Sequence, residues 1–223
     1  ICKRKGVTRE ETDKFAALSH TRTANSIDND IWEQEIVHVG EIGHKDEDHV
    51  VRGSTPESLA ELRTAFGPES LVTAGNASGV VDGAAAVVIK SASQAADDGD
   101  KPLAKIISWG IVGLEPAIMA YGPVPSSQKA LLKAGLDIED IDRWEINEAF
   151  AGQAVACIKD LGLDIAKVNV NGGAVGIGHP LAATGTRLVL TLAHELKRCE
   201  GRYGVATACI GGGQGIAMVI EAL

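Results

Sequence analysis

No apolar run in the 223 residues approaches the ~20 that a membrane-spanning helix needs, and no membrane partner is expected. An excess of positive charge is lacking too, because 21 lysines and arginines face 30 aspartates and glutamates for a net charge of −9. That balance argues against a nucleic-acid partner. The chain opens on Ile1 without a methionine or a signal-peptide pattern, and the expectation is that the true start is missing or was cleaved. The four cysteines, Cys2, Cys157, Cys199 and Cys209, show no C-x-x-C spacing. They fit a reducing compartment, so a cytoplasmic location is expected. Phosphate-cradling signatures are also missing. GGAVGIG lacks the G-x-G-x-x-G spacing, GGGQG runs into a predicted strand, and no G-x-x-x-x-G-K-[ST] occurs. Cofactors held by such cradles are therefore disfavoured.

What is present is an ordinary globular composition, 45% hydrophobic and 23% charged. The length suits one large domain or two small ones with a real core. Thr8-Arg9-Glu10-Glu11 is a capping-box pattern and predicts a helix to about Ile27. Its apolar stripe is thin (Phe15, Ala16, Leu18, Ala24), which predicts a helix lying on a surface. Glu35 to Val39 reads as a short strand. His38, His44 and His49 stand in or beside the acidic stretch 40–55, but their spacing fits no familiar ligand set. A solvated loop is the reading, and no metal is expected. Thr55-Pro56-Glu57 starts a helix with Leu59, Leu62 and Phe66 on one face.

Near Val72 the texture changes to small, polar and glycine-rich, VTAGNASGVVDG, and Ala84 to Ile89 follows as a buried-strand run. Nothing before that run supplies neighbouring strands, so it is expected to join a sheet whose other strands lie outside the chain. Ser91 caps a short helix. Then come strand 105–112, helix 126–134, strand 143–146, helix 148–161, strand 167–170, helix 181–198 and two strands, 203–209 and 215–221, that form a hairpin. This alternation predicts an α/β layered unit.

The stretch NVNGGAVGIGHPLAATGTR, 169–187, stands out. Gly172, Gly173, Gly176 and Gly178 allow close backbone approach, and Pro180 stands where a first helical residue is expected. His179 would thus sit at the mouth of a helix. Two further loops follow or link strands, Asn147-Glu148-Ala149-Phe150 and Cys209-Ile210-Gly211-Gly212-Gly213-Gln214-Gly215. Carboxyl ends of strands are where α/β sheets place ligands, and the three loops offer an amide, an imidazole and a thiol. A thiol with an imidazole suits acid/base or nucleophilic chemistry. Each residue also has a plain reading: a turn for His179, a helix N-cap for Asn147 and a buried strand end for Cys209.

These three loops resemble the C-terminal motifs of the thiolases, the acyl-CoA acetyltransferase family. Thr73-Ala74-Gly75-Asn76-Ala77-Ser78-Gly79 resembles a further family signature, and FAALSHTR, 15–22, resembles its loop domain. The resemblance implies the thiolase fold, layered αβαβα, with 1–80 as the loop domain, 81–103 as a returning segment of the N-terminal domain and 104–223 as the C-terminal domain. It implies an acyl-CoA acyltransferase of 3-ketoacyl-CoA such as acetoacetyl-CoA, in fatty acid metabolism. No cofactor is implied, coenzyme A entering only as the thioester substrate. Asn147, through a water, and His179 would form an oxyanion hole for the enolate, and His179 would help to activate the acylated cysteine. Cys209 would be the acid/base, titrating near neutrality, and the Gly211 N–H would serve a second oxyanion hole. Ser78, Ala74, Gly79 and Ser58 would line the coenzyme A path, and Phe150 would pack near the acyl end.

The family's nucleophilic cysteine belongs to an N-terminal half, and none of the four cysteines here stands in its context. The resemblance therefore implies that this half is a missing segment or a separate subunit, in a homo- or hetero-oligomer, and that the isolated chain is inactive. Ala182 stands where many members have glycine, and only a local packing change is expected. The alternatives are a non-catalytic coenzyme A-binding or scaffold subunit, and an unrelated cysteine hydrolase.

Overall fold

The computed structural model describes residues 1–37 and 51–223. The acidic stretch with His38, His44 and His49, and the end of the strand expected over 35–39, lie mainly outside the described residues. Of that strand, Glu35 belongs to a turn. The chain begins with α1 (Cys2–Lys5) and α2 (Arg9–Asp28). The capping box is formed at the start of α2, where the Thr8 side chain accepts from the Glu11 N–H and the Glu11 carboxylate accepts from the Thr8 N–H.

Helix α2 is not a surface helix. Thr12, Asp13, Ser19, His20, Thr23 and Ser26 are buried beside Phe15, Ala16 and Ala17. Its inward face is mostly polar, so apolar periodicity under-reads its burial. Two more short helices follow, α3 (Pro56–Ala60) and α4 (Ala92–Asp97). α3 stops before its expected face is complete, leaving Leu59 buried but Phe66 74% exposed. The segment 84–89 joins no strand ladder among the described residues, and Val88 and Ile89 are 86% and 71% exposed. The expectation places its partner strands outside the chain, and among the described residues it has none.

The remaining elements are β1 (Ala104–Gly113), α5 (Pro123–Ala134), β2 (Arg143–Ile146), α6 (Ala151–Leu161), α7 (Ala174–Ile177), α8 (Thr184–Arg198), β3 (Tyr203–Ile210) and β4 (Gln214–Ala222). The strands form one sheet in the order β1-β4-β3-β2. β3 and β4 are the expected antiparallel hairpin, and β2 runs parallel to β3. Alternate residues face opposite sides. Val205 and Val219 join the core under α5 and α6, while Ala206 and Ile220 join the core under α8. The sheet thus lies between two helical layers. α5 sits close on β1, where a Cβ at Gly110 would come within 2.9 Å of the Ala130 nitrogen.

Four boundaries differ from the sequence reading, the first being α5, which is expected from 126 and starts at Pro123. The strand expected over 167–170 is a 3₁₀ turn, Ile165–Lys167, and a single bridge from Val168 to Trp144. Asn169 has a φ of 44°, which breaks the ladder. The helix expected from 148 starts at Ala151, because Phe150 is extended and bridges to Ala77. The helix expected from 181 starts at Thr184; Pro180 instead opens a turn whose carbonyl accepts from the Ala183 and Thr184 N–H groups at 2.8 and 3.0 Å.

Candidate active site

Asn147 follows the end of β2 and is fully buried. Its backbone N–H donates to the Thr207 carbonyl on β3 at 2.9 Å, extending the parallel pairing by one residue. It caps no helix, since the residue before α6 is Phe150. Its side-chain amide is thereby free to face the site, where Nδ2 lies 3.2 Å from His179 Nε2. Asn147 Oδ1 is buried without a hydrogen-bond partner among the described residues. A buried unpaired carbonyl costs about 1–3 kcal/mol, and such an acceptor is a ready seat for a water.

Glu148 holds the loops on either side of it. It is fully buried, and its carboxylate accepts from Asn169 Nδ2 at 2.7 Å, Ser19 Oγ at 2.7 Å and the Val175 N–H at 3.0 Å. One carboxylate therefore binds α2, the glycine stretch and its own loop together. Asn169 completes the connection by imitating a strand, its side chain accepting from the Ile146 N–H at 2.8 Å and donating to the Ile146 carbonyl at 2.9 Å. The glycines make room for this packing. A Cβ at Gly173 would stand 2.7 Å from Glu148 Oε2, and one at Gly176 would stand 2.7 Å from the Thr23 Cβ.

Gly178 at φ 91° turns the chain so that His179 enters the site. The His179 N–H donates to the Gly79 carbonyl at 2.9 Å, and Nδ1 lies 2.6 Å from Thr184 Oγ1. Burial, and then the nearby positive Arg187, push the His179 pKa below its ordinary value. The ring is neutral at pH 7 and able to take a proton.

Cys209 lies near the end of β3, two residues beyond the Thr207 that binds Asn147, and is nearly buried at 9% exposure. Burial pushes its thiol pKa up. This corrects the expectation of titration near neutrality, because the cost of burying a thiolate dominates. Gly211 is exposed at the tip of the hairpin. Gly212 and Gly213 make the turn at φ 85° and 96°.

The loop 73–79 is drawn against both other loops. Ser78 Oγ donates to the Ala149 carbonyl at 3.1 Å, and the Ala151 N–H donates to the Asn76 carbonyl at 2.9 Å. With the Gly79 contact to His179 and the Ala77–Phe150 bridge, this brings Ser78, Gly79, Phe150, Asn147 and His179 together. Ala74 instead lines an open cavity of about 540 Å³ with Leu62, Arg63, Thr64 and Ala65. Ser58 is exposed, and its hydroxyl serves the α3 capping box with Thr55. The other cysteines stand apart in character. Cys157 is buried in α6 with its pKa pushed up to about 12 by burial. Cys2 and Cys199 are half-buried, and all four thiols are free. Among the described residues no cluster of histidine, cysteine, aspartate and glutamate is suited to a metal ion. No described helix is long and apolar enough to cross a membrane.

Sequence reasoning missed Glu148, Asn169, Ser19 and Thr184 as parts of the site. The available signal was their place in the same motifs: Glu148 beside Asn147, Asn169 and Thr184 in the stretch 169–187 that holds His179, and Ser19 in FAALSHTR.

The family described as "Thiolase, N-terminal domain" matches residues 1–93, and "Thiolase, C-terminal domain" matches residues 100–222. An "Acetyl-CoA acetyltransferase" of Syntrophomonas wolfei is 48% identical over 98% of this chain and 57% of its own length. A "3-ketoacyl-CoA thiolase" of Erwinia tasmaniensis is 49% identical over 97% of this chain and 59% of its own length. The crystal structure of human mitochondrial 3-ketoacyl-CoA thiolase in complex with CoA superposes with a TM-score of 0.96 at 43% identity, over 99% of this chain and 56% of that one. The chain thus spans less than three fifths of the length of these relatives. With one family domain matched over residues 1–93, the other over 100–222, and a backbone that superposes at a TM-score of 0.96, the chain belongs to the thiolase family and has the thiolase fold.

Proposed function

We propose that this chain supplies the coenzyme A-binding and enolate-stabilising part of a thiolase-type acyltransferase acting on 3-ketoacyl-CoA, such as acetoacetyl-CoA. The observation that carries the reading is the part-buried contact of Asn147 Nδ2 with His179 Nε2 at 3.2 Å, one strand away from Cys209. Donors aimed at a developing oxyanion in a low-dielectric site act most strongly in the transition state. The α-proton of a thioester is weakly acidic, so removing it needs that stabilisation.

In this reading a nucleophilic cysteine comes from the N-terminal thiolase half, as part of a longer chain or as a separate subunit. His179 Nε2 takes the proton of that thiol as it attacks the thioester carbon and coenzyme A departs as a thiolate. The protonated Cys209 gives its proton to the departing thiolate. Its own thiolate then removes the α-proton of a second acetyl-CoA, and the enolate oxygen is held by the proton on His179 Nε2 and a water bound at Asn147. The enolate carbon attacks the acyl-cysteine and restores the nucleophile. Every step runs in reverse for thiolytic cleavage, with Cys209 protonating the departing enolate. The raised thiol pKa suits either direction, since it keeps Cys209 protonated until a stronger base appears.

Gly211, at the open hairpin tip, is assigned the second oxyanion donor. The cavity at Ala74, with Ser78, Gly79 and Ser58, is assigned to the coenzyme A path, and Phe150 to the acyl end. The division into 1–80, 81–103 and 104–223 belongs to the same reading, as do a cytoplasmic location and fatty acid metabolism. A partner half also accounts for the exposed apolar residues Val80, Val88, Ile89, Trp109 and Ile111, which a neighbouring sheet and helix layer would cover.

The test mixes this chain with a nucleophile-bearing N-terminal half and follows thiolysis of acetoacetyl-CoA. Activity is expected with the mixture, and a fall of about 10²–10³ on losing one oxyanion donor is expected for His179→Ala. Cys209→Ala is expected to abolish turnover. Binding of coenzyme A without turnover would favour the scaffold role, and unchanged rates in both variants would refute the assignment.

A further inference from the structure

The His179 ring is bound at both nitrogens, and the chemistry of its partners decides where its proton lies. Thr184 Oγ1 stands 2.6 Å from Nδ1 and 3.1 Å from the Pro180 carbonyl oxygen. A hydroxyl has one proton and a carbonyl only accepts. If the hydroxyl proton goes to Pro180, the lone pairs of Oγ1 face Nδ1, which must then carry the imidazole proton. Nε2 is left as an acceptor, and Asn147 Nδ2, an obligate donor, faces it at 3.2 Å. The contacts form one directed chain, from the Asn147 amide through the ring and the Thr184 hydroxyl to the Pro180 carbonyl.

The opposite tautomer breaks this chain. A proton on Nε2 would need the Asn147 amide turned to present its oxygen, and Nδ1 would need the Thr184 hydroxyl as its donor. The Pro180 carbonyl would then lose its hydroxyl partner, leaving two hydrogen bonds where the first arrangement makes three. Thr184 is held in place for the task. It is 2% exposed, it is the first residue of α8, and its own N–H donates to the same Pro180 carbonyl at 3.0 Å. The extra turn at 180–183 is what folds that carbonyl back onto the hydroxyl.

We propose that Thr184 is a positioning residue that fixes the tautomer of His179, holding the proton on Nδ1 so that Nε2 rests as a base. Thr184 touches no reacting atom. It acts by making the side of the ring that faces the substrate a proton acceptor before the reaction begins. When Nε2 gains a proton, Nδ1 keeps its own and the Thr184 oxygen goes on accepting from it, so the only group that has to give way is the Asn147 amide, which releases Nε2 or turns its oxygen toward it. The nitrogen that was a base becomes a donor toward an oxyanion, while the ring stays anchored. A ring with its proton on Nε2 would instead have to move a proton, or rotate, before it could accept one.

The proposal deepens the reading of His179 given above and rests on it for its catalytic meaning, but its test needs no turnover. The 223-residue chain, ¹⁵N-labelled at histidine, is examined by two-bond ¹H–¹⁵N correlation at pH 7.5, with the His179 signals assigned from their absence in His179→Gln. The expected pattern is a protonated, pyrrole-type Nδ1 and an unprotonated, pyridine-type Nε2. Thr184→Ser keeps the hydroxyl and is expected to keep the pattern. Thr184→Val keeps the shape and removes the hydroxyl, and is expected to move the proton toward Nε2.

A merely structural Thr184 would change the melting temperature without changing the tautomer. Nε2 protonated in the unaltered chain, or Thr184→Val with the unaltered pattern, would overturn the proposal. If Thr184→Val does not fold, the unaltered chain and Thr184→Ser still decide it. With the N-terminal half added, Thr184→Val is expected to lower kcat at least tenfold and to leave KM within twofold. The expected NMR pattern without any turnover by the mixture would refute the acyltransferase reading and leave the tautomer assignment standing.

Discussion

Replacing Glu148 by glutamine removes a charge and almost no volume, which isolates what the carboxylate does. Its two oxygens accept from Asn169 Nδ2, Ser19 Oγ and the Val175 N–H. A glutamine offers one oxygen and one NH₂ group. With the NH₂ toward Val175, two N–H groups oppose one another and the Val175 donor is left buried and unpaired. With the NH₂ toward Asn169, it opposes Nδ2, and Asn169 cannot turn over without losing both bonds to Ile146. Either orientation leaves a buried donor unsatisfied, costing about 1–3 kcal/mol, and converts the remaining charge-assisted bonds into weaker neutral ones. The expected total is about 2–4 kcal/mol. For a domain of this size that lowers Tm by roughly 5–15 °C. Urea denaturation followed by circular dichroism is expected to show a lower midpoint at an unchanged slope. A Glu148→Gln chain within ~0.5 kcal/mol of the original, the range of an ordinary surface change, would refute the claim that this carboxylate fastens the loops.

Asn169→Ala removes three hydrogen bonds and puts a Cβ-only side chain at φ 44°, so a loss of about 3 kcal/mol or more is expected in the same assay. Asn169→Gly relaxes the backbone alone and is expected to recover less than half of it. Gly110→Ala forces a methyl group against the α5 backbone and is expected to cost about 1–3 kcal/mol by overpacking, read as a lower urea midpoint.

The pH dependence has a definite sign. Burial pushes the Glu145 pKa up to about 8, outweighing the pull of Arg187 at 3.2 Å. The folded chain then holds a proton that the unfolded chain has released, so stability falls as pH rises from about 4.5 to about 8. Glu35, raised by burial as well, adds a slope of the same sign. The lowered His179 acts in the opposite sense, and only as pH falls below its ordinary value. Urea midpoints across pH 5–8 are expected to decline in the original chain and to decline less in Glu145→Gln. Parallel profiles would contradict the assignment.

The sheet was legible because its strands carry apolar runs bounded by glycine and proline, and its hairpin closes through a glycine loop. The Thr8–Glu11 capping box was legible because all its bonds are local. The site was legible through three short motifs, two of them rich in glycine, that keep an amide, an imidazole and a thiol at strand ends. What escaped depends on distant partners. α2 looked like a surface helix because Ser19, Asp13 and Thr23 are polar, yet each is buried. Asn169 looked like part of a strand because Val168 and Val170 flank it, yet its side chain replaces the strand's backbone bonds. Burial raises the Cys209 pKa through the packing around the end of β3, which no local pattern encodes. The run 84–89 has the composition of a buried strand and yet is exposed, because a strand needs a neighbour as well as a composition.

The central claim is that Asn147, His179 and Cys209 act together on the enolate of a thioester. The most direct measurement is exchange of the acetyl-CoA methyl protons with deuterated water, catalysed by this chain together with a nucleophile-bearing half and followed by NMR. Exchange is expected with the original chain, at least a hundredfold slower with Asn147→Ala or His179→Ala, and undetectable with Cys209→Ala. Exchange at the original rate in any of the three would contradict the account.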